Sequence, residues 1–328
     1  MASTQQAQTD YARCSGCNLC LLVCPAWRRT GDISFTPLGR AKALQHGAAA
    51  ADIADSVQSC TLCGACEPAC PEDINLVEMT LGLRRQLPRP AAVEVLRLRM
   101  EEQMARPLAP RPAAPALLLP GLALRARPAT LARATVLLGS AGTVGLADDD
   151  GSDIALALEV GIAIPAQRLE RYLQPLRGLK AIIVADGLLL RALRHWLPRS
   201  KINSLGEALS KQAAVRRALR ASDLYVIEPR AYHADYQHLV RHYDILRATT
   251  ACTLNLDLQR IAIPASARSL PDRLGLQAID DTVQARWILR GRNIARIVVE
   301  DAEDAVTFAR LGTLPVVHLA DLADDGSS

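Results

Sequence analysis

Two hydrophobic rhythms divide the chain. Residues 25–59 include "TPLGRAKALQHGAAAADIADSVQS", a segment of alanine and other helix formers. Further on, "INLVEMTLGLRRQL" sets Ile74, Leu76, Val77, Leu81, Leu83 and Leu87 at helical spacing. From about residue 134 the rhythm changes. The short apolar runs "ATVLLGS", "KAIIVAD", "DLYVIEP", "RIVVED" and "LPVVHLAD" read as strands bounded by turns. Between them lie helical stretches such as "QRLERYLQPLRG" and "KQAAVRRALRAS". Strands alternating with helices predict parallel α/β units. The intervening stretch, residues 87–133, holds eight prolines; a helix is expected over 91–104, then an extended proline-rich connector. The expected organisation is a helical region over 1–90, a helix and connector over 91–133, and an α/β region over 134–328.

Length and composition fit this division. At 328 residues, two cores are the default. Half the residues are apolar, yet there are only two Phe, six Tyr and three Trp, so aliphatic side chains must fill the interior. A formal charge of +4 gives no concentrated basic face for nucleic acid. The apolar run "PAAPALLLPGLALRARP" is broken by Pro115 and Pro120 and cannot span a bilayer. "MASTQQAQTDYAR" lacks the basic and apolar regions of a secretory signal. A cytoplasmic chain is expected, with peripheral contact at the inner membrane face left open.

The cysteines change the picture. Eight of the nine fall in two runs, "CSGCNLCLLVCP" from Cys14 to Pro25 and "CTLCGACEPACP" from Cys60 to Pro71. Each run reads C-x2-C-x2-C-x3-C-P, the bacterial ferredoxin spacing. Three cysteines at x2 spacing wrap a tight loop around an iron–sulfide cube, with loop N–H groups aimed at the sulfides. The fourth lies beyond the loop and usually ligates the other cluster. Cluster one is therefore assigned to Cys14, Cys17, Cys20 and Cys70, and cluster two to Cys60, Cys63, Cys66 and Cys24. Complete sets of four favour two [4Fe–4S] clusters over a three-iron one. Zinc is the alternative, but zinc sites pair C-x2-C with a distant second pair rather than three cysteines in register. Trp27, Arg28 and Arg29 follow Pro25; a packed Trp beside two solvated charges is expected.

On these motifs, and on "SFTPLGRAKAL", residues 10–90 resemble the α-helical ferredoxin domain. That domain occurs in succinate dehydrogenase iron–sulfur subunits, in the C-type subunit of heterodisulfide reductase and in the iron–sulfur subunit of glycolate oxidase. The segment is similar to the family's "SPRGR", with Leu38 where Arg is usual. The cysteine-poor half resembles the CCG repeats of the glycolate oxidase and heterodisulfide reductase B-type subunits, with their cysteines gone. "VLLGSAGTVG" stands where a first strand and its cysteine would be, and "IIVADGLLL" and "YVIEPRAYHADY" resemble the later parts of that copy. "LNLDLQRIAIPASARSLPDRLG" resembles the start of a second copy. "IARIVVEDAEDAVTFARLGTLPVVHLADL" resembles its end, with Asp301 and Asp304 where C-x2-C would fall. Only Cys252 follows Cys70, so a multi-iron catalytic centre has no ligands there.

Other motifs are weaker. "GSAGTVG", Gly139 to Gly145, is neither a dinucleotide fingerprint nor a Walker loop. "DDDGSD", residues 148–153, lacks the later ligands of a calcium loop. His238 and His242 share a helix face, with His233 nearby, but no third ligand is evident. Cys252 reads as a buried thiol. The resemblance implies an electron-transfer subunit of a multi-subunit oxidoreductase, non-catalytic by itself. A flavoprotein dehydrogenase partner carrying FAD, of 2-hydroxy-acid type, would feed the two clusters, and a quinone-linked or other acceptor would drain them. A further iron–sulfur or quinone-reducing subunit would complete the complex. The alternatives are a heterodisulfide-reductase-like subunit with its own pocket in the α/β half, and a structural or sensory iron–sulfur assembly protein.

Overall fold

The computed structural model describes residues 10–88, 92–107, 113–139, 143–257, 260–266, 270, 280, 282–312 and 314–324. Five short helices surround the cysteine loops: α1 (Leu19–Val23), α2 (Pro25–Thr30), α3 (Pro37–Gln45), α4 (Ala54–Ser59) and α5 (Leu76–Arg84). Pro25 and Pro37 open α2 and α3, where no N–H is needed. Thr36 Oγ1 accepts from the Gly39 N–H at 3.1 Å, and Asn75 Oδ1 from that of Glu78 at 3.1 Å, capping α3 and α5. The six apolar positions predicted around α5 are all buried. Leu76, Met79 and Leu83 pack with Ala50, Val57 and Ile74, while Val77 and Leu81 face Leu62 and Leu188. The helix is thus wedged between the cysteine loops and the rest of the molecule. Next, α6 (Ala92–Ala105) occupies the expected helical stretch, with Leu96 and Met100 packed against Ala157.

The connector reading of 91–133 needs correction. "ALLL" forms β1 (Ala116–Leu119), buried throughout, and is followed by α7 (Gly121–Arg125) and α8 (Pro128–Leu138). The flanking prolines hid the strand because they lie just outside the ladder, where they cost nothing. "ATVLLGS", expected as a strand, is instead the end of α8. Thr130, Ala134 and Leu138 are buried at a four-residue period while Val136 is 75% exposed. Residues 140–142 of "GSAGTVG" lie outside the described residues.

Two parallel sheets follow. The first has β1, β2 (Val144–Leu146), β3 (Ala181–Val184) and β4 (Ile202–Ser204) in the order β2-β1-β3-β4. Its register sets Leu118 beside Leu146 and Ile183. The helices α9 (Ser152–Val160), α10 (Ala166–Leu173) and α11 (Gly187–Trp196) lie along this part of the chain. After β4 come α12 (Leu205–Ser210) and α13 (Ala213–Ala218). The second sheet starts at β5 (Asp223–Val226), followed by α14 (Pro229–Ala234), α15 (Tyr236–Thr250) and β6 (Thr253–Leu254). A small antiparallel pair, β7 (Leu256–Asp257) and β8 (Ile261–Ala262), precedes α16 (Thr282–Leu289). Then β9 (Arg296–Val299), α17 (Ala302–Ala309) and β10 (Val316–His318) complete the order β10-β9-β5-β6.

In chain order, each sheet has its second strand outside its first, and its third and fourth strands on the other side. The two sheets therefore repeat one topology. The repeat begins with β1 and β5, so "DLYV" opens the second unit; the second copy expected from "LNLDLQ" starts a strand too late. The core follows the two-residue alternation of strands. Leu118 and Ile183 from one sheet share a core with Tyr225, Leu254 and Val298 from the other. Leu117, Leu119, Ile182 and Val184 face α9–α11, and Leu224, Val226, Ile297 and Val299 face α16 and α17. No helix among the described residues is long and apolar enough to cross a membrane.

The acids of "DDDGSD" serve this fold. Arg168 is fully buried and donates to both carboxylates of Asp149 and Asp153, at 2.7–2.8 Å. Arg168→Met leaves Asp153 buried without its cation and is expected to cost about 3–5 kcal/mol. A urea midpoint unchanged from wild type would refute this account of the acidic turn.

Candidate iron–sulfur centres and an adjoining cavity

Both cysteine loops are wound the same way. The second and fourth residues after the first cysteine have left-handed backbone: Gly16 and Asn18 in one loop, Leu62 and Gly64 in the other, with φ of 86°, 67°, 55° and 73°. This turns successive N–H groups inward to make an anion-binding nest. Leucine tolerates the conformation at a cost of roughly 1–2 kcal/mol. Leu62 is 2% exposed and offsets that cost by packing on Val77, Leu81 and Leu188.

The winding creates two cavities. Cys14, Cys17, Cys20 and Cys70 line the first; Cys24, Cys60, Cys63 and Cys66 line the second. Pro37 and Leu76 line both, so one layer of side chains separates them. Cys70 reaches the first cavity because the turn after Cys66 carries the chain back to it, and Cys24 reaches the second from the N-cap of α2. Backbone amides aim at the sulfurs: Leu38 at Cys20, Trp27 and Ala26 at Cys24, Leu62 at Cys60, and Ala65 at Cys63. Among the described residues, no three His, Cys, Asp or Glu side chains are grouped to hold a single metal ion. The thiols ring a space rather than a point.

Charge and burial differ between the two cavities. Cys17 is exposed, whereas Cys24 and Cys63 are buried. Burial pushes the Cys20 and Cys63 thiols up to about 12, and Cys66 well above the ordinary thiol value. Burial also pushes Cys60 up, but the Arg40 and Arg84 guanidiniums outweigh it and hold this thiol low. Arg40 is 1% exposed and donates to Phe35 O and Ser56 O, while its Nε–H, beside the second cavity, has no partner. A buried donor left over beside four thiols suits a negatively charged occupant. The donor sets fit an iron–sulfur cluster, which supplies one-electron redox chemistry when bound.

Turning the amides inward turns carbonyls outward, and each needs a donor. In the first loop, Cys14 O accepts from Lys42 Nζ at 2.9 Å and Gln45 Nε2 at 3.0 Å. In the second, Arg84 donates to Cys60 O at 2.5 Å, Arg230 to Thr61 O at 2.7 Å, and His233 Nδ1 meets Cys63 O at 2.7 Å. Arg84 also donates to Glu159 O at 2.6 Å, Arg230 to Glu159 Oε1 at 2.8 Å, and Arg191 to Glu67 Oε2 at 2.5 Å. The second loop is thus docked on α9, α11 and α14.

The other side chains considered from sequence each have partners of their own. His233, His238 and His242 do not converge: His238 meets Glu207 at 2.6 Å and His242 meets Ser210 Oγ at 2.8 Å, while His233 serves the cysteine loop. Cys252 is buried and accepts from Thr250 Oγ1. Arg28 is not a solvated charge. It donates to Asp257 at 3.1 Å and lies 3.9 Å over the Trp287 ring. Arg40, Arg84 and Arg230 were not singled out from sequence, and His233 was noted only beside the other two histidines. Only Arg40 carried a local signal, being the last residue of the "SPRGR"-like segment.

A third cavity, of about 420 Å³, adjoins the second cysteine loop and includes Cys63 in its wall. Residues just beyond β1, β3, β5 and β9 line it: Pro120, Asp186, Glu228 and Glu300. Burial, with Asp301 nearby, lifts the Glu228 carboxyl to about 8; burial lifts Glu300 to about 7 and Asp304 well above the carboxylate range.

Residues 10–74 match the family model of the 4Fe-4S dicluster domain. The chain is accordingly an iron–sulfur protein, of a class that transfers electrons. No curated protein and no solved structure matches it.

The buried titratable groups set a pH dependence. Glu228 and Glu300 have folded values of about 8 and about 7 against an ordinary 4.5, so the stability they lend is whole at low pH and lost as pH rises through those values. Burial holds His233, His242 and His318 at about 4, so their contribution is whole above 6.5 and lost as pH falls towards 4. Between pH 6.5 and 8.5 only the carboxyls act among these groups. The thermal midpoint is expected to fall across that window, and Glu228→Gln to flatten the fall. Equal slopes for wild type and variant would rule out the assignment.

Proposed function

We propose that the chain is an electron-transfer protein carrying two [4Fe–4S] clusters, one held by Cys14, Cys17, Cys20 and Cys70 and the other by Cys24, Cys60, Cys63 and Cys66. The observation that carries this reading is the pair of neighbouring cavities, each ringed by four thiols, with Cys24 and Cys70 exchanged between the two runs. Arg40 and Arg84 balance thiolate charge at the inner centre, and the backbone amides of each loop hold its sulfurs in place. The outer centre meets solvent at Cys17, beside the exposed Leu19 and Leu22 of α1. Exposed leucines beside a redox centre suit a docking partner. A flavoprotein dehydrogenase is the partner this reading assigns there, a 2-hydroxy acid its substrate, and a quinone-linked acceptor the destination of the electrons. The reading with a separate catalytic pocket draws on the cavity beside Cys63. Cys63 is the only cysteine among that cavity's lining residues, so disulfide chemistry has no spare thiol there.

Anaerobic purification is expected to yield about eight irons per chain, two cubane sets. Cys17→Ser and Cys63→Ser are each expected to remove roughly half of it and to stop electron transfer. A flavin-containing chain is expected to co-purify with the wild type. Full iron and unchanged electron transfer in both variants would sink the assignment.

A further inference from the structure

The 420 Å³ cavity has a position, a lining and a neighbour that together define a ligand. In each sheet the strand order reverses between the first and third strands, at β1/β3 and at β5/β9. Ligands of open parallel sheets bind beyond the carboxyl ends of such strands. Here both reversal points open onto one cavity, through Pro120 and Asp186 from the first sheet and Glu228 and Glu300 from the second. The volume suits a small organic molecule.

Most charges in the wall are already used. Glu159 pairs with Arg230, and Asp186 and Asp301 cap α11 and α17. Glu300 accepts from the hydroxyls of Tyr225 and Tyr243 and from the Glu228 N–H. Asp304 is different. It is 1% exposed, its Oδ1 accepts from the Ser266 N–H at 2.9 Å, and its Oδ2 has no partner. Burial favours the protonated form of Asp304 and of Glu228, whose oxygens also accept from the Arg230 and Ala231 N–H groups, and a protonated carboxyl offers a hydrogen-bond donor rather than charge. Leu96, Leu124, Leu189 and Leu205 supply apolar wall. A carboxylate ligand would meet Asp301 and Glu303, while Arg230 is engaged by Glu159 and Arg99 is the one other arginine of the lining, so an anionic 2-hydroxy acid does not suit this wall. An uncharged molecule with carbonyl oxygens and an apolar body does.

Cys63 belongs to this wall and to the second cysteine cavity. We propose that the cavity binds an uncharged conjugated dicarbonyl of the quinone type and is the site where electrons leave the protein. This rests on the two-cluster reading, which supplies the reductant. The cluster that Cys63 would help to hold would supply two electrons one at a time, being oxidised by one electron at each transfer and reduced again by one electron from the outer centre in between. Two protons come from Asp304 and Glu228, which are reprotonated from solvent. Two O–H bonds form, both C=O bonds become C–O, and the hydroquinone leaves.

The test uses duroquinone, whose fully substituted ring resists thiol addition, and calorimetry on the oxidised holoprotein, where binding consumes no electrons. Wild type is expected to bind one equivalent. Asp304→Leu removes the unpartnered acid, and Leu122→Trp, at an exposed lining position, obstructs the cavity without touching the buried network. Each is expected to weaken binding at least about tenfold, the scale of a lost buried hydrogen bond or of a blocked site. With dithionite-reduced protein, Leu122→Trp is expected to slow hydroquinone formation by a similar factor. Absence of saturable binding to wild type, or equal binding by both variants, overturns the proposal. Iron analysis of the same samples separates the two ideas: full iron with no binding leaves the two clusters standing and removes the site. Deficient iron overturns the cluster reading and the electron-exit proposal with it, and calorimetry then reports whether the cavity still takes the ligand.

Discussion

The structure depends on one consequence of winding a chain around an anion. A loop that turns its amides inward must turn its carbonyls outward, and those carbonyls need donors. The first loop finds them nearby, in Lys42 and Gln45 of α3. The second finds two of its three from about 170 residues away, in Arg230 and His233 of α14, and the third in Arg84. Leaving a buried carbonyl unpaired costs about 1–3 kcal/mol. The sheet region is therefore part of the second centre, and the two halves hold one another in register. Gly64 shows how close the fit is: an added Cβ would lie 3.0 Å from His233 Cβ, at a backbone angle L residues rarely adopt.

Arg84, Arg230 and Glu159 form the hinge point of that register. Glu159 accepts from Arg230 through its side chain and from Arg84 through its carbonyl, so three elements meet at one residue of α9. All three side chains are buried or nearly so; Glu159 offsets the charge of Arg230, and Arg84 is held by backbone carbonyls. A buried pair is weak evidence for stability but strongly penalises misplacement, because either partner alone is an uncompensated charge. Here that penalty specifies where the cysteine loop sits on the sheets.

The sequence spoke clearly wherever function imposes spacing. The cysteine pattern needs no tertiary information to be seen, because three cysteines at x2 spacing and a fourth before proline stand together in each run. The α5 face was legible because six apolar residues keep helical period. The misses have physical causes too. β1 is four residues long and flanked by prolines, which look like linker until the ladder is seen. "ATVLLGS" is too short for its period to separate helix from strand, and burial of Ala134 and Leu138 decided it. Arg230, His233 and Asp304 act across 38 to 170 positions, and no local pattern marks such pairs. The doubled sheet was foreseen as a repeat, but its frame slipped by one strand because β1 was not counted.

The two cysteine loops share a fold but not a setting, and the difference gives the proposed wire a direction. The outer loop keeps Cys17 in solvent, next to the exposed side chains of Leu19 and Leu22. The inner loop is enclosed by α9, α11 and α14, and its Cys63 faces an apolar, acid-lined cavity at the reversal points of both sheets. A protein partner can approach only the open loop, whereas a small molecule can reach the enclosed one. Guanidiniums beside Cys60 favour added negative charge at the inner centre, and the outer thiols have no comparable buried cation among the described contacts. In the proposed wire, electrons delivered at the surface would be drawn inward, towards the cavity, and the cysteine-poor half would be the place where one-electron carriers meet a two-electron ligand.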